Sequence, residues 1–212
     1  MQMLPQTEPR FSQAIAAFDA RNARDPNQSL VNGIAVPKEL AYAQRMSEML
    51  QRYAPQASEA VQLAARCQHI ERWTLPREAY PMTKPGYHQW RRKLKEYHAQ
   101  VAREIMQQAG YDTETMDSVA ALVSKDAPLA NAEMQLLEDV IVMVFVEHYL
   151  EEFVGQHPEY DVAKWKDILH KTLRKVSPAG HQALLTQIKL PQALVPLIQE
   201  VMTEGGWIPT AG

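Results

Sequence analysis

From Met134 to Val154 the chain reads MQLLEDVIVMVFVEHYLEEFV, and residues 140–146 are apolar without a break. A helix over this stretch has no polar face to give to water, so other helices must enclose it. The run is also far short of the roughly 20 apolar residues that span a bilayer, which excludes a membrane helix here. It therefore asks for a helical body built around it, and the rest of the sequence supplies helices. Phe11, Ile15 and Phe18 recur at spacings of four and three, the mark of a short amphipathic helix. Pro37 suits a first helical turn, and Leu40, Ala43, Met46, Leu50 and Tyr53 then form one stripe, predicting a helix over 37–53. Ser58 can cap a helix of small and apolar residues ending near Trp73. Helix returns at Tyr87, with Trp90, Leu94, Tyr97, Val101 and Ile105 on one side and Gly110 as the stop.

Further starts are marked by Asn131, Asp161, Ser177-Pro178 and Pro191, and Asp117 to Lys125 makes a short helix. RDPNQSLVNG is turn chemistry, and no segment alternates as a strand flanked by hairpin turns would. The expected fold class is all-α: a single-domain multi-helix bundle of eight or nine helices over 10–212, behind a flexible tail at 1–9. Apolar residues make up 46% and charged residues 22%, which fits a folded domain. Cys67 is the single cysteine, so no intramolecular disulfide framework exists, and a reducing compartment suits it. With no apolar leader at the N-terminus, the expected location is cytoplasmic and no membrane partner is expected.

Charge narrows the search for a site. Arg66 to Lys95 carries eight Lys/Arg against two Glu, a local +6 in a chain whose net charge is −3. An anionic ligand would go where positive charge is concentrated. Within that island Gln68 and His69 end a helix of small residues, and Arg72, Arg77 and Tyr80 follow in a Pro-rich connection over 74–86, long enough to act as a lid. Arg91 and His98 lie two helical turns apart and share a face. A guanidinium forks onto phosphate or carboxylate, and an imidazole moves protons or binds metal near neutral pH.

In the enclosed helix, Glu138 and Asp139 are the only ionisable groups between Met134 and Val146, and a buried carboxylate pairs or ligates. Glu39, in the first turn of its helix, fits either the cleft or the water side, where it would favour the helix dipole. His170 and His181 read as isolated and solvated, His148 as interfacial, and the run Lys164, Lys166, Lys171, Arg174, Lys175 as a solvated face. Cys67 stands in a basic setting that would lower a thiol pKa, against the inert buried cysteine that is commoner. No CxxC, HExxH, GxSxG, P-loop or GxGxxG motif occurs, which removes serine hydrolase, kinase and dinucleotide readings. Arg91, Arg92 and Lys93 beside Tyr87 and Trp90 could meet nucleic acid, but an overall acidic chain lacks the usual basic bias.

The segments RFSQAIAAFDARNARDPN, PKELAYAQRM, LAARCQHIERW, REAYPMTKPGYHQWR, LEDVIVMVF and KDILHKTLRKVS resemble domain-of-unknown-function family 4202 over nearly the whole chain. A more distant likeness is to the metal-dependent HD-domain phosphohydrolases. Tyr42-Ala43-Gln44-Arg45-Met46 resembles their first element and Ala64 to His69 their second, while His98 stands as an accessory histidine and Asp139 as the late aspartate. Tyr42 and Gln68 occupy histidine positions of that pattern, and His69 its aspartate position.

This resemblance implies an HD-like core and a hydrolase acting on a small phosphorylated or nucleotide-like anion. His69, His98 and Asp139 would be its catalytic group, or would hold one divalent metal ion. Tyr42, Arg45, Arg66, Gln68, Arg72, Arg77, Tyr80 and Arg91 would bind the substrate. The alternatives are a non-catalytic module binding an anionic ligand on the same fold, and an RNA-binding or regulatory protein using the 84–95 patch.

Overall fold

The capping residues open helices as their chemistry prescribes. Ser58, Asn131, Asp161 and Ser177 each accept backbone N–H groups of the first turn that follows them. The computed structural model describes residues 9–126 and 131–208. They fall into two compact units, Met1–Pro128 and Leu129–Gly212, within what the sequence reading drew as one domain. The proposed tail lies outside the described residues except for Pro9, which begins the first helix.

The first unit carries α1 (Pro9–Asn22), β1 (Gln28–Val31), β2 (Ile34–Pro37), α2 (Lys38–Tyr53), α3 (Glu59–Cys67), α4 (Lys84–Gln108) and α5 (Thr113–Ser124). Between α3 and α4 the chain makes two short 3-10 turns, Arg72–Thr74 and Arg77–Ala79. Helix α3 packs on α1, α2 and α5, and α4 packs on α5 and α1. Phe18, Met46, Leu63, Ile70 and Met106 fill the middle and are fully enclosed. Each such side chain contributes about 1.5–3 kcal/mol by leaving water.

The all-α class holds, with one correction: β1 and β2 form an antiparallel hairpin, Val31 opposite Ile34 and Gln28 opposite Pro37. Its turn is Asn32-Gly33, with φ of 51° and 80°. Two successive left-handed residues are what a two-residue type I′ turn needs, and Asn-Gly is the pair that tolerates it. The hairpin returns the chain to the start of α2, where Lys38 N–H donates to the Asn27 carbonyl.

Helix α3 stops at Cys67, earlier than the expected Trp73, and α4 starts at Lys84, earlier than Tyr87. Thr83 caps α4 and Pro85 sits in its first turn, so part of the predicted connection is helix. Gly110 stops α4 at φ 84°, with Tyr111 N–H returning to the Met106 carbonyl in the Schellman pattern.

The second unit carries α6 (Ala132–His148), α7 (Leu150–Gly155), α8 (Val162–Leu173), α9 (Pro178–Thr186) and α10 (Val195–Glu204). Helix α6 is buried on most of its circumference, Val140, Val142, Met143, Val144 and Val146 included, as its composition demands. Helix α8 packs on α10. There Lys166 pairs with Glu200 and Glu204, so part of the second basic run is neutralised at this contact.

Candidate active site

The turn after α3 is the foundation of the site. Glu71 adopts φ 52°, a left-handed conformation that costs a residue with a Cβ about 1–2 kcal/mol. The surroundings hold it there. Its N–H donates to Asn22 Oδ1 at 3.1 Å, and its carboxylate accepts from Arg21 at 2.9 Å and from the Tyr97 hydroxyl at 2.7 Å. Thus α1 and α4 clamp the turn from two sides and aim its neighbours, His69 and Arg72.

Against that turn stands the first turn of α2. Asp25 accepts from the N–H of Asn27 and of Glu39, at 2.9 and 3.0 Å, and so fixes where α2 begins. Glu39 is therefore directed inward and is only 7% exposed. Its carboxylate lies 3.5 Å from His69 Nδ1 and 4.0 Å from Arg72 Nε. Burial pushes its pKa up to about 7; Arg72 offsets part of that rise and Asp25 adds to it. One helical turn on, the Tyr42 ring stacks on His69, with centroids 4.1 Å apart.

His69 is held neutral: burial lowers its pKa well below the usual imidazole value, and the cations Arg72, Arg91, Lys125 and Lys38 act in the same direction. His98 lies with its ring centroid 6.1 Å from that of His69. Its Nδ1 meets the Ile70 carbonyl at 2.7 Å, and a carbonyl only accepts, so Nδ1 carries the proton. Burial, then the neighbouring His69, bring the His98 pKa down to about 3.

Two spaces adjoin this group. The larger is a cleft of about 440 Å³, bordered by Asn27, Lys38, Glu39, Arg72, Arg77 and Trp90. The smaller shares Arg72 with it and lies among Gln68, His69, Arg91, His98 and Lys125. Trp90 anchors the wall between α4 and the loop, its indole N–H donating to the Leu75 carbonyl at 2.8 Å and its ring lying 5.0 Å from the Arg72 guanidinium. A groove of about 530 Å³ elsewhere, walled by Phe11, Ile15, Leu50 and Pro55, is mainly apolar and offers no carboxyl–imidazole pair.

Tyr42, Gln68, His69, Arg72, Arg91 and His98 are thus brought together, and Arg77 borders the cleft. The guanidinium of Arg77 is occupied, however, donating to the carbonyls of Tyr80, Pro81 and Thr83, so it ties the loop in place. Arg66 serves elsewhere: it forks onto Asp19 with contacts of 2.7 and 2.6 Å, joining α3 to α1. Neither Arg45 nor Tyr80 is among the residues bordering the two spaces.

Asp139 has a structural task in the second unit. Its oxygens accept from Gln135 at 2.8 Å, from Ser177 N–H at 2.8 Å and from the Ser177 hydroxyl at 2.5 Å, fastening the start of α9. His69 and His98 belong to the first unit, flanked by cations, and among the described residues no three His, Cys, Asp or Glu are placed to share a metal ion.

Cys67 is inert, its thiol pushed up to about 12 by burial rather than lowered by nearby cations. His181, expected in solvent, is buried, bonded to the Leu173 carbonyl at 2.9 Å and stacked on Trp207.

Glu39 is the residue that sequence reasoning left undecided. It shares a helical face with Tyr42 and Met46, at spacings of three and seven, and that face is the buried one. Lys125, which holds the left-handed C-cap of α5, carried no signal beyond its charge.

Residues 12–198 match the family described as Domain of unknown function (DUF4202). The chain belongs to that family. The DUF4202 match runs from α1 into α10 and so includes every residue of the site just described. No curated protein and no solved structure matches the chain.

Proposed function

We propose that the first unit is a hydrolase for a small anionic compound bearing a phosphoryl group. The observation that carries this reading is Glu39: a buried carboxyl beside His69 and Arg72, at the edge of a cleft rimmed by Lys38 and Arg77. A carboxyl whose pKa is near 7 is half protonated at neutral pH and can hand its proton to a leaving oxygen. His69, its pKa held well below the usual imidazole value, lies 3.5 Å from that carboxyl and stacks on Tyr42, which fixes the carboxyl's surroundings. Arg72 and Arg91, with Lys38, supply the charge that a phosphoryl group requires, Arg by its planar fork. A cleft of about 440 Å³ is the size that small metabolites occupy.

The test is a panel of p-nitrophenyl phosphate, sugar phosphates and nucleoside mono-, di- and triphosphates, scored for phosphate release and, by calorimetry, for binding. Turnover by the wild type that falls about a hundredfold in Glu39→Gln and His69→Asn is the expected result. Binding without turnover would make the protein an anion-binding module. Neither binding nor turnover across the panel would sink the reading.

A further inference from the structure

His98 and Gln68 are buried polar side chains that the acid–base pair leaves unused. They are 3% and 5% exposed. With Nδ1 given to the Ile70 carbonyl, His98 keeps an acceptor at Nε2, and Nε2 has no hydrogen-bond partner among the described residues. The same is true of Gln68 Oε1. Unmet buried acceptors are costly and ask for a donor.

Both residues border the smaller of the two spaces, together with His69, Arg72 and Arg91. It leaves about 10 Å³ for the centre of a water-sized molecule, room for one. The chemistry of the walls selects what enters. A metal cation would meet the positive charges of Arg72 and Arg91, and a fully ionised anion has no hydrogen to give to Nε2 or Oε1. Water is small enough, neutral, and has two O–H donors for two acceptors.

We propose that this space is the site of the attacking water, which donates one hydrogen to His98 Nε2 and the other to Gln68 Oε1. With both hydrogens engaged, the oxygen lone pairs face away from the two acceptors, toward the cation-lined side where a phosphoryl group is drawn. His98 and Gln68 act on the substrate through that water, so they are positioning residues.

Phosphoryl transfer depends chiefly on such positioning and little on a strong base. That explains why an imidazole kept from protonating can serve. The water oxygen forms a bond to phosphorus as the bond to the leaving oxygen breaks. The leaving oxygen takes the Glu39 proton, and both water hydrogens depart on the phosphate. Glu39 is then reprotonated from solvent.

The inference rests on the hydrolase reading for its reaction but not for its site, and two measurements separate them. In protein labelled with ¹⁵N-histidine, His98 is expected as the Nδ1–H tautomer, with its Nε2 resonance shifted by an accepted hydrogen bond and showing exchange with a bound water. Gln68→Met, close in shape but unable to accept from water as an amide does, should move that resonance toward a free lone pair. An Nε2 resonance without a water contact and indifferent to Gln68→Met overturns the site.

With p-nitrophenyl phosphate, Gln68→Met and His98→Asn should each lower kcat at least 30-fold at little-changed KM, and Gln68→Asn should recover part of the loss. If His98→Asn does not fold, Gln68→Met and Gln68→Asn carry the kinetic test. A bound water with kcat unaltered in these variants overturns its role as nucleophile. A wild type inactive on the whole panel sinks the hydrolase reading and that role together, while the resonance still decides the site.

Discussion

Replacing Glu39 by Gln should make the protein more stable, and increasingly so as pH rises. The folded carboxyl titrates near 7 and the unfolded one near 4.5. Between those values the folded state binds the proton that the unfolded state has released, so wild-type stability from this group is full below about 4.5 and declines as pH rises through 7. With those two values, the ionisation penalty is about 0.8 kcal/mol at pH 5 and about 3.3 kcal/mol at pH 8. Gln carries the shape of the protonated acid and no penalty. The stability gap between Glu39→Gln and wild type should therefore widen by about 2.5 kcal/mol from pH 5 to pH 8. His69 and His98 titrate in both proteins and largely cancel in the difference. Urea unfolding at the two pH values, followed peptide by peptide through pulsed hydrogen exchange in α2 and α4, reads the first unit by itself. A gap that stays constant, or that shrinks on going to pH 8, would refute the burial of a costly carboxylate at this position.

His98, lowered to about 3 in the fold against 6.5 unfolded, acts with the opposite sign: its contribution is complete above pH 6.5 and is lost on acidification. From this group the first unit should be about 2 kcal/mol less stable at pH 5 than at pH 8, a loss that His98→Asn would abolish in the same titration. Hydrolysis, if Glu39 is the acid, should decline as pH rises through about 7, and a pH–rate profile rising there would point to a base in its place. In the second unit a Cβ on Gly180 would meet Val176 Cγ1 at 2.5 Å and the Asp139 carboxyl at 2.8 Å, so Gly180→Ala should cost about 1–3 kcal/mol, and an unchanged melting curve would contradict the Asp139–Ser177 geometry. At Glu71, Ala and Gly both lose the contacts to Arg21 and Tyr97, but only Gly accepts φ 52° freely; Glu71→Gly should exceed Glu71→Ala in stability by about 1 kcal/mol, and equal stabilities would deny the strain.

Where local chemistry decides structure, the residues were readable in advance. Ser58, Asn131, Asp161, Ser177 and Gly110 mark helix ends through hydrogen bonds made within a few residues, and α6 is enclosed because it has no polar face. The hairpin escaped that reading, which took the stretch around Asn32-Gly33 for turn chemistry alone. Its strands are four residues each and largely exposed, so the alternation that betrays a strand is absent.

The site was legible in part. Positive charge and two histidines pointed to the stretch that lies against Glu39, yet charge count alone cannot tell Arg72, which faces Glu39, from Arg66, which is held by Asp19. Asp139 looked like a ligand because burial demands partners for a carboxylate. Its partners in the structure include Gln135, one turn away, and the N-terminus of α9, 38 residues away, which no local pattern reveals.

The clamp on Glu71 bears on how this site could be moved or borrowed. His69 and Arg72 owe their directions to a turn whose partners lie 50, 49 and 26 positions away, at Arg21, Asn22 and Tyr97. A graft of residues 68–74 into another helical scaffold would carry the side chains but leave behind the residues that hold the backbone left-handed. A transplantable form of the site therefore has to carry α1 and α4 along with the turn, and truncations that trim α1 as an outlying helix would misdirect His69 without touching it.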